Sequence, residues 1–244
     1  MKTFLLALQF LTIIPLRLKS EIKAEDYRSI FLYFPLIGAV IGFLLCLLAW
    51  LLRGLPHLAV AALVLAFYTV ITGALHVDGF ADSCDGLLAG KTKQRRLEIM
   101  QDSHIGAYAA VGVSLLLILK FAFLASLTEM AFLKILFLMP MFSRWVQGLV
   151  CATSKYARAE GKSNFFFQAA SQRDVWLGAV FCLILFFLLM RLKGLILFSM
   201  AVLPVGLWAK FVHGKIDGMT GDTIGAASEI AELGILFFSL ILMA

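Results

Sequence analysis

The chain has 244 residues, 62% of them hydrophobic and only 15% charged, with a mean hydropathy of +0.97. Such a composition excludes a soluble globular enzyme. At about 20 apolar residues per crossing, the length accommodates roughly six to eight helices joined by short loops, so residues 1–244 read as one all-α, polytopic membrane domain. An excess of 21 Lys and Arg over 15 Asp and Glu gives a net charge of +6, which in a membrane chain speaks of orientation before nucleic acid.

From the start of the chain, Met1-Lys2 and an apolar stretch from Phe4 to Leu16 imitate a signal peptide. The stretch has no small-x-small cleavage site and contains Gln9 and Pro15. It reaches about 20 Å, short of a hydrocarbon core roughly 30 Å thick, and predicts a short re-entrant or interfacial helix. Phe31 to Leu52 and Leu58 to His76 read as a hairpin closed by a tight turn at Gly54 and Pro56. A polar segment, 77–106, precedes a second hairpin, Ala107 to Thr128 and Met130 to Val150. After a polar loop over 151–174 come Val175 to Met190 and Gly194 to Val212, then a Gly-rich polar piece, 213–229, then Ile230 to Ala244, marginal in length. The expected total is seven transmembrane helices beside the N-terminal one.

Threading these alternately through a bilayer puts 17–30, 77–106, 151–174 and 213–229 on one side. Those segments carry thirteen Lys and Arg: Arg17, Lys19, Lys23, Arg28, Lys91, Lys93, Arg95, Arg96, Lys155, Arg158, Lys162, Arg173 and Lys215. The other side has Arg53, Arg191 and Lys193, a bias that makes the long loops cytoplasmic and the C-terminus external. Gly38 and Gly42 form a GxxxG pair, read as a close helix contact. Cys46, Cys84, Cys151 and Cys182 are scattered singly and read as free thiols.

The most informative stretch runs from Thr72 to Gly86 and holds three carboxylates in eight residues. If the second span's helix continues through it, Asp78, Asp82 and Asp85 share one face. Like charges so close repel unless a cation sits among them, and all-oxygen ligands favour Mg²⁺ or Mn²⁺ over Zn²⁺ despite nearby His76 and Cys84. Gly79 and Gly86 would leave room for a substrate phosphate at the backbone. The bland alternative is an acidic, solvated loop. The basic run Lys91, Lys93, Arg95 and Arg96 suits phosphoanhydride chemistry by offsetting charge on a leaving group, and reads equally as a topology signal or an anionic-lipid contact. Asp102, just before the third span, either completes the metal shell or caps a helix.

A second polar cluster, 213–229, has four glycines in twelve residues, which predicts non-helical backbone whose amides, Gly221 among them, could bind an anion. Asp222 and Glu229 offer further partners for a metal or a hydroxyl. Arg144, within the fourth span, needs a carboxylate or phosphate partner, whereas snorkelling is the simpler account of Lys120 and Lys134.

The segments Leu8 to Pro15, Phe34 to Gly38, His76 to Gly86, Met100 to Gly106 and Gly221 to Glu229 together resemble the cobalamin synthase family, in the family's order and over nearly the whole chain. The specific element is His76-x-Asp78-Gly-x-x-Asp82-x-x-Asp85-Gly86. Members of that family are adenosylcobinamide-GDP ribazoletransferases, multi-pass inner-membrane enzymes that need Mg²⁺. The resemblance implies that the hydroxyl of α-ribazole, or of its 5′-phosphate, attacks the phosphate next to the cobinamide arm and GMP leaves. It implies a metal at Asp78, Asp82 and Asp85, with Asp82 or His76 taking the proton. The implied partners are those two substrates and the lipid bilayer, not nucleic acid, and homo-oligomerisation stays open. Two other readings compete. Asp82-Ser-Cys-Asp85-Gly86 to Ala89 resembles the first half of the CDP-alcohol phosphotransferase signature, but Gly90 stands where an Arg is expected and the later Gly and paired Asp are missing. A cation-coupled transporter is disfavoured because the acids lie at a membrane boundary in a chain without visible repeats.

Overall fold

The computed structural model describes residues 2–15, 24–27, 29–159, 161 and 163–243. Arg17, Lys19, Lys23, Arg28 and Lys162 of the basic loops lie outside them. Among the described residues the chain is all-α: α1 (Lys2–Leu11), α2 (Ile30–Leu51), α3 (His57–Ile71), α4 (Leu75–Ala89), α5 (Lys93–Ile99), α6 (Ala107–Ala125), α7 (Glu129–Thr153), α8 (Asn164–Ala169), α9 (Gln172–Ile216) and α10 (Gly221–Met243), with a 3₁₀ turn at Ala24–Tyr27. Among the described residues five helices, α2, α6, α7, α9 and α10, are long and apolar enough to cross a membrane, and the bent pair α3–α4 is a sixth if its two helices count as one span.

The core sits around α7, most of whose residues are buried. Its closest neighbour is α2, because the GxxxG pair removes side chains where the backbones meet. A Cβ on Gly38 would stand 2.5 Å from Met141 Cα, and one on Gly42 2.5 Å from the Phe137 carbonyl oxygen. The short α1 packs its Leu6, Ala7 and Leu11 inward, and its rings meet α2 through Phe4 with Tyr33 and Phe10 with Phe34.

The structure alters three of the sequence-based boundaries. The expected straight span from Leu58 to His76 breaks at Thr72: the Thr72 hydroxyl donates back to the Tyr68 carbonyl, Gly73 and Ala74 both take left-handed φ, and α4 leaves at 85° to α3. One carbonyl freed by this break, that of Ile71, accepts the Ile13 amide at 2.9 Å, so the chain after α1 pins the bend. The Gly-rich segment 213–229 is mostly helical, with α9 continuing to Ile216 and α10 starting at Gly221; only 217–220 is a turn. That start lengthens the last apolar stretch into a 23-residue helix.

Helix α9 is 45 residues long but non-helical at Arg191, where φ is 56° and ψ −139°. The rings of Phe186 and Phe198 stand 5.5 Å apart, whereas twelve residues of straight helix would separate them by about 18 Å. The chain therefore doubles back at Arg191 into two packed legs.

Three of the four polar segments meet at one end of this bundle. Lys93 pairs with Asp217 at 3.3 Å, an Arg96 guanidinium N–H donates to the Lys215 carbonyl, and Tyr156 and Met219 form an isolated backbone bridge. The fourth joins them through Tyr27, whose ring lies 4.8 Å from that of Phe165.

Candidate functional site

Helix α4 crosses the first turns of both α6 and α10, and its acidic stripe passes from solvent into the protein along its length. Asp78 is exposed, Asp82 half-buried and Asp85 buried. Gly79 is where α10 comes closest, with the Asp222 carbonyl oxygen 2.8 Å from where a Cβ would be. That contact brings Asp222 to the stripe, and the carboxylates of Asp82, Asp222 and Asp78 repel one another there. Through Oδ2, Asp222 accepts from an Arg158 guanidinium N–H at 3.1 Å and from the Thr220 hydroxyl at 3.2 Å, and its Oδ1 has no partner among the described residues. Among the described residues the carboxylates of Asp78 and Asp82 have no hydrogen-bond or ion-pair partner. Buried Nε atoms of Arg158 and Arg96 also lack an acceptor.

The third aspartate has a different task. Both oxygens of Asp85 accept backbone amides at the start of α6, Gly106 at 2.7 Å and Ala109 at 3.0 Å, so it caps that helix across the α4–α6 junction. The two glycines read as room for a phosphate are instead filled by the protein: Gly79 by α10, and Gly86 by α5, whose Arg96 carbonyl would lie 2.9 Å from a Cβ.

The basic run lies mainly on α5, whose Thr92 N-cap hydroxyl accepts the Arg95 amide. Lys91, Lys93 and Arg95 are exposed. Lys93 faces Asp217, Arg95 pairs with Glu98 at 3.2 Å, and Arg96 ties α5 to the end of α9. Asp102 is exposed, with Oδ1 2.6 Å from His104 Nδ1; this contact and the His104 amide hold it below the usual carboxylate range. Gly221 opens α10 against the Ser163 hydroxyl.

Beneath the stripe lies a buried ionic network that sequence reasoning found only in part. Lys120, read as snorkelling, is 2% exposed and pairs with both Glu229 and Glu232, because α10 presents two carboxylates three residues apart to α6. Arg144 has the carboxylate it required in Glu232, at 3.3 Å, and also donates to Ser228 and Tyr68. The Tyr68 hydroxyl donates to Glu232. Two cations thus face two carboxylates with no net charge, the condition for keeping ions at this depth. Glu229, assigned by sequence to substrate or metal, is bound to Lys120 here. His76 joins the same network: it is 4% exposed, its Nε2 accepts the Gln147 amide at 2.8 Å, and its buried Nδ1 has no partner. Glu232, Ser228, Tyr68 and Gln147 escaped the sequence reading, although a glutamate inside an apolar stretch was itself a signal.

An all-α membrane bundle that gathers carboxylates and guanidinium groups from distant segments at one end defines an integral-membrane protein with a built polar site. The chain belongs to the cobalamin-5-phosphate synthase family, whose model matches residues 3–240. Its relatives include an adenosylcobinamide-GDP ribazoletransferase of Desulfitobacterium hafniense (strain Y51), 38% identical over 96% of this chain and 94% of that protein. Others so described come from Clostridium novyi (strain NT), 35% identical over 96% and 94%, and Geotalea daltonii, 36% identical over 96% and 94%. No solved structure matches the chain significantly. The resemblance carried by the His76 to Gly86 motif is thereby borne out at the level of the family.

Proposed function

We propose that the protein is a Mg²⁺-dependent adenosylcobinamide-GDP ribazoletransferase in a bacterial cytoplasmic membrane, crossing it seven times with the acidic end facing the cytoplasm. Seven crossings follow if α3–α4 counts once and each leg of α9 counts separately, and the positive-inside bias supports the orientation. The observation that carries the catalytic reading is the meeting of unpartnered Asp78 and Asp82 with Asp222 beside Arg158.

In the reaction, the hydroxyl oxygen of α-ribazole or its 5′-phosphate bonds to the phosphorus that bears the cobinamide arm. The bond from that phosphorus to the bridging oxygen breaks, and GMP leaves with the electron pair. Among the described residues no three His, Cys, Asp or Glu side chains stand as a ready metal cage. Mg²⁺ rarely needs one, since it is commonly held by one or two carboxylates plus substrate phosphates. Free carboxylate oxygens of Asp78, Asp82 and Asp222 offer that donor set, and one or two of them together with the substrate phosphates would hold Mg²⁺ or Mn²⁺. When bound, the ion supplies charge neutralisation at the diphosphate and the leaving oxygen. Asp82 accepts the hydroxyl proton, because repulsion within the group is relieved by a proton as well as by a cation. Arg158 orients Asp222, and the α5 cations attract the GDP moiety. His76, whose Nε2 is occupied by Gln147, holds the first turn of α4 in place.

The test is to incubate purified protein with adenosylcobinamide-GDP, α-ribazole and Mg²⁺, with an EDTA control. GMP and a completed nucleotide loop are the expected products. Release of CMP from a CDP-alcohol in place of GMP, or corrinoid transport without phosphoanhydride cleavage, would overturn the reading.

A further inference from the structure

We propose that a cavity at the end of the bundle remote from the acidic group binds one phospholipid whose headgroup carries both a phosphate and a primary ammonium, the phosphatidylethanolamine class. The cavity, about 600 Å³, lies between the end of α2, the start of α3 and the start of α7. It falls within the ~300–1,000 Å³ typical of small-molecule sites. Glu129 on its wall is eighteen residues, about 27 Å of helix, from Gln147, which touches His76. The cavity is thus separate from the catalytic end.

Its polar groups are of both signs, and they are not used on each other. Arg53 lies over the Trp50 ring at 4.6 Å, and neither Arg53 nor Glu129 has an ion-pair partner among the described residues. His57, packed edge-on against Phe132, has a buried Nε2 without an acceptor or donor. A guanidinium suits a phosphate, and a separate carboxylate suits an ammonium. A simple anion would leave Glu129 unused and opposed. A zwitterion satisfies both Arg53 and Glu129.

The remaining wall specifies the source. Trp50 and Leu133 are apolar yet exposed at this rim, next to a charged turn, which is the pattern of the headgroup boundary, where an acyl chain and not water covers such surface. A water-soluble phosphoethanolamine would leave that apolar surface bare.

The test uses the intact protein in bilayer discs with equal shares of phosphatidylethanolamine, phosphatidylglycerol and phosphatidylcholine, released for native mass spectrometry. One phosphatidylethanolamine retained in preference to both other lipids is the expected result. Arg53→Ala should lower that retention about tenfold, the size of one lost charge-assisted contact. Glu129→Gln should erase the preference over phosphatidylglycerol and phosphatidylcholine. Both side chains are exposed, so the variants should melt with the parent; if one does not, the other variant and the parent's lipid ranking decide. Retention in bulk proportions, unchanged preference in the variants, or displacement of the lipid by soluble phosphoethanolamine or inorganic phosphate would each overturn the proposal.

Discussion

Gly79 on α4 and Asp222 on α10 are in backbone contact, so close that a Cβ on the glycine would stand 2.8 Å from the aspartate's carbonyl oxygen. This single approach joins two acidic segments far apart in sequence. Gly79→Ala must push the helices apart, at a cost of about 1–3 kcal/mol by the usual measure of overpacking. GMP release should fall at least tenfold while the protein still inserts, because sub-ångström misplacement of reacting groups is expensive. Gly225 offers the control: a Cβ there meets nothing nearer than 3.4 Å, and Gly225→Ala should keep both melting temperature and turnover close to the parent values.

The three aspartates of the stripe should separate by assay. Asp82→Asn removes an unpartnered carboxylate and should cut turnover by 10²-fold or more, in the range of a lost general base, without lowering the melting temperature. Asp85→Asn acts on structure first. It weakens two charge-assisted bonds to the start of α6 and should cost about 1–2 kcal/mol, read as a lower melting temperature in detergent. If Asp85→Asn left stability untouched and abolished turnover, the capping role would be wrong and a role at the ion would replace it.

How far the sequence discloses this site depends on distance along the chain. The α4 stripe is local, so helical spacing alone places Asp78, Asp82 and Asp85 on one face, and the GxxxG pair announces the α2–α7 contact by the absence of side chains. The bend before α4 is hidden because it rests on Gly73 and Ala74 adopting left-handed backbone, and alanine gives no warning of that. The partners of Lys120 and Arg144 are hidden for another reason. Both lie on α10, near or within an apolar run, and only the packed bundle brings α6, α7 and α10 to one point. Asp85 capping α6 is hidden too, since a stripe of three acids suggests equal roles that tertiary contacts then divide.

Metal dependence follows from the oxygens available. With Mg²⁺ held by carboxylates and substrate phosphates, EDTA should abolish GMP release and Mg²⁺ or Mn²⁺ should restore it, while Zn²⁺, which prefers nitrogen and sulfur, restores little. Because the ion would bind together with substrate, isothermal titration of protein alone should show weak Mg²⁺ binding that tightens when adenosylcobinamide-GDP is present. Equal affinity with and without substrate would argue for an all-protein cage.

The buried network makes the most demanding prediction, because its charges balance only as a set. Lys120→Met leaves Glu229 without its cation and Glu232 with Arg144 as its remaining cation, and removing one member of a buried pair costs about 3–5 kcal/mol. Adding Glu229→Gln removes the orphaned charge while the Arg144–Glu232 pair survives. The double variant should therefore be more stable than Lys120→Met alone, an interaction energy of 0.5–3 kcal/mol in a double-mutant cycle. Glu232→Gln has no such rescue from a change at Glu229, since Arg144 would then lose the one carboxylate it pairs with among the described residues. Melting temperatures in one detergent, with membrane insertion checked by fractionation, measure each corner of the cycle. Strict additivity of Lys120→Met and Glu229→Gln would show that the two side chains do not depend on each other, and the network would then be two independent contacts.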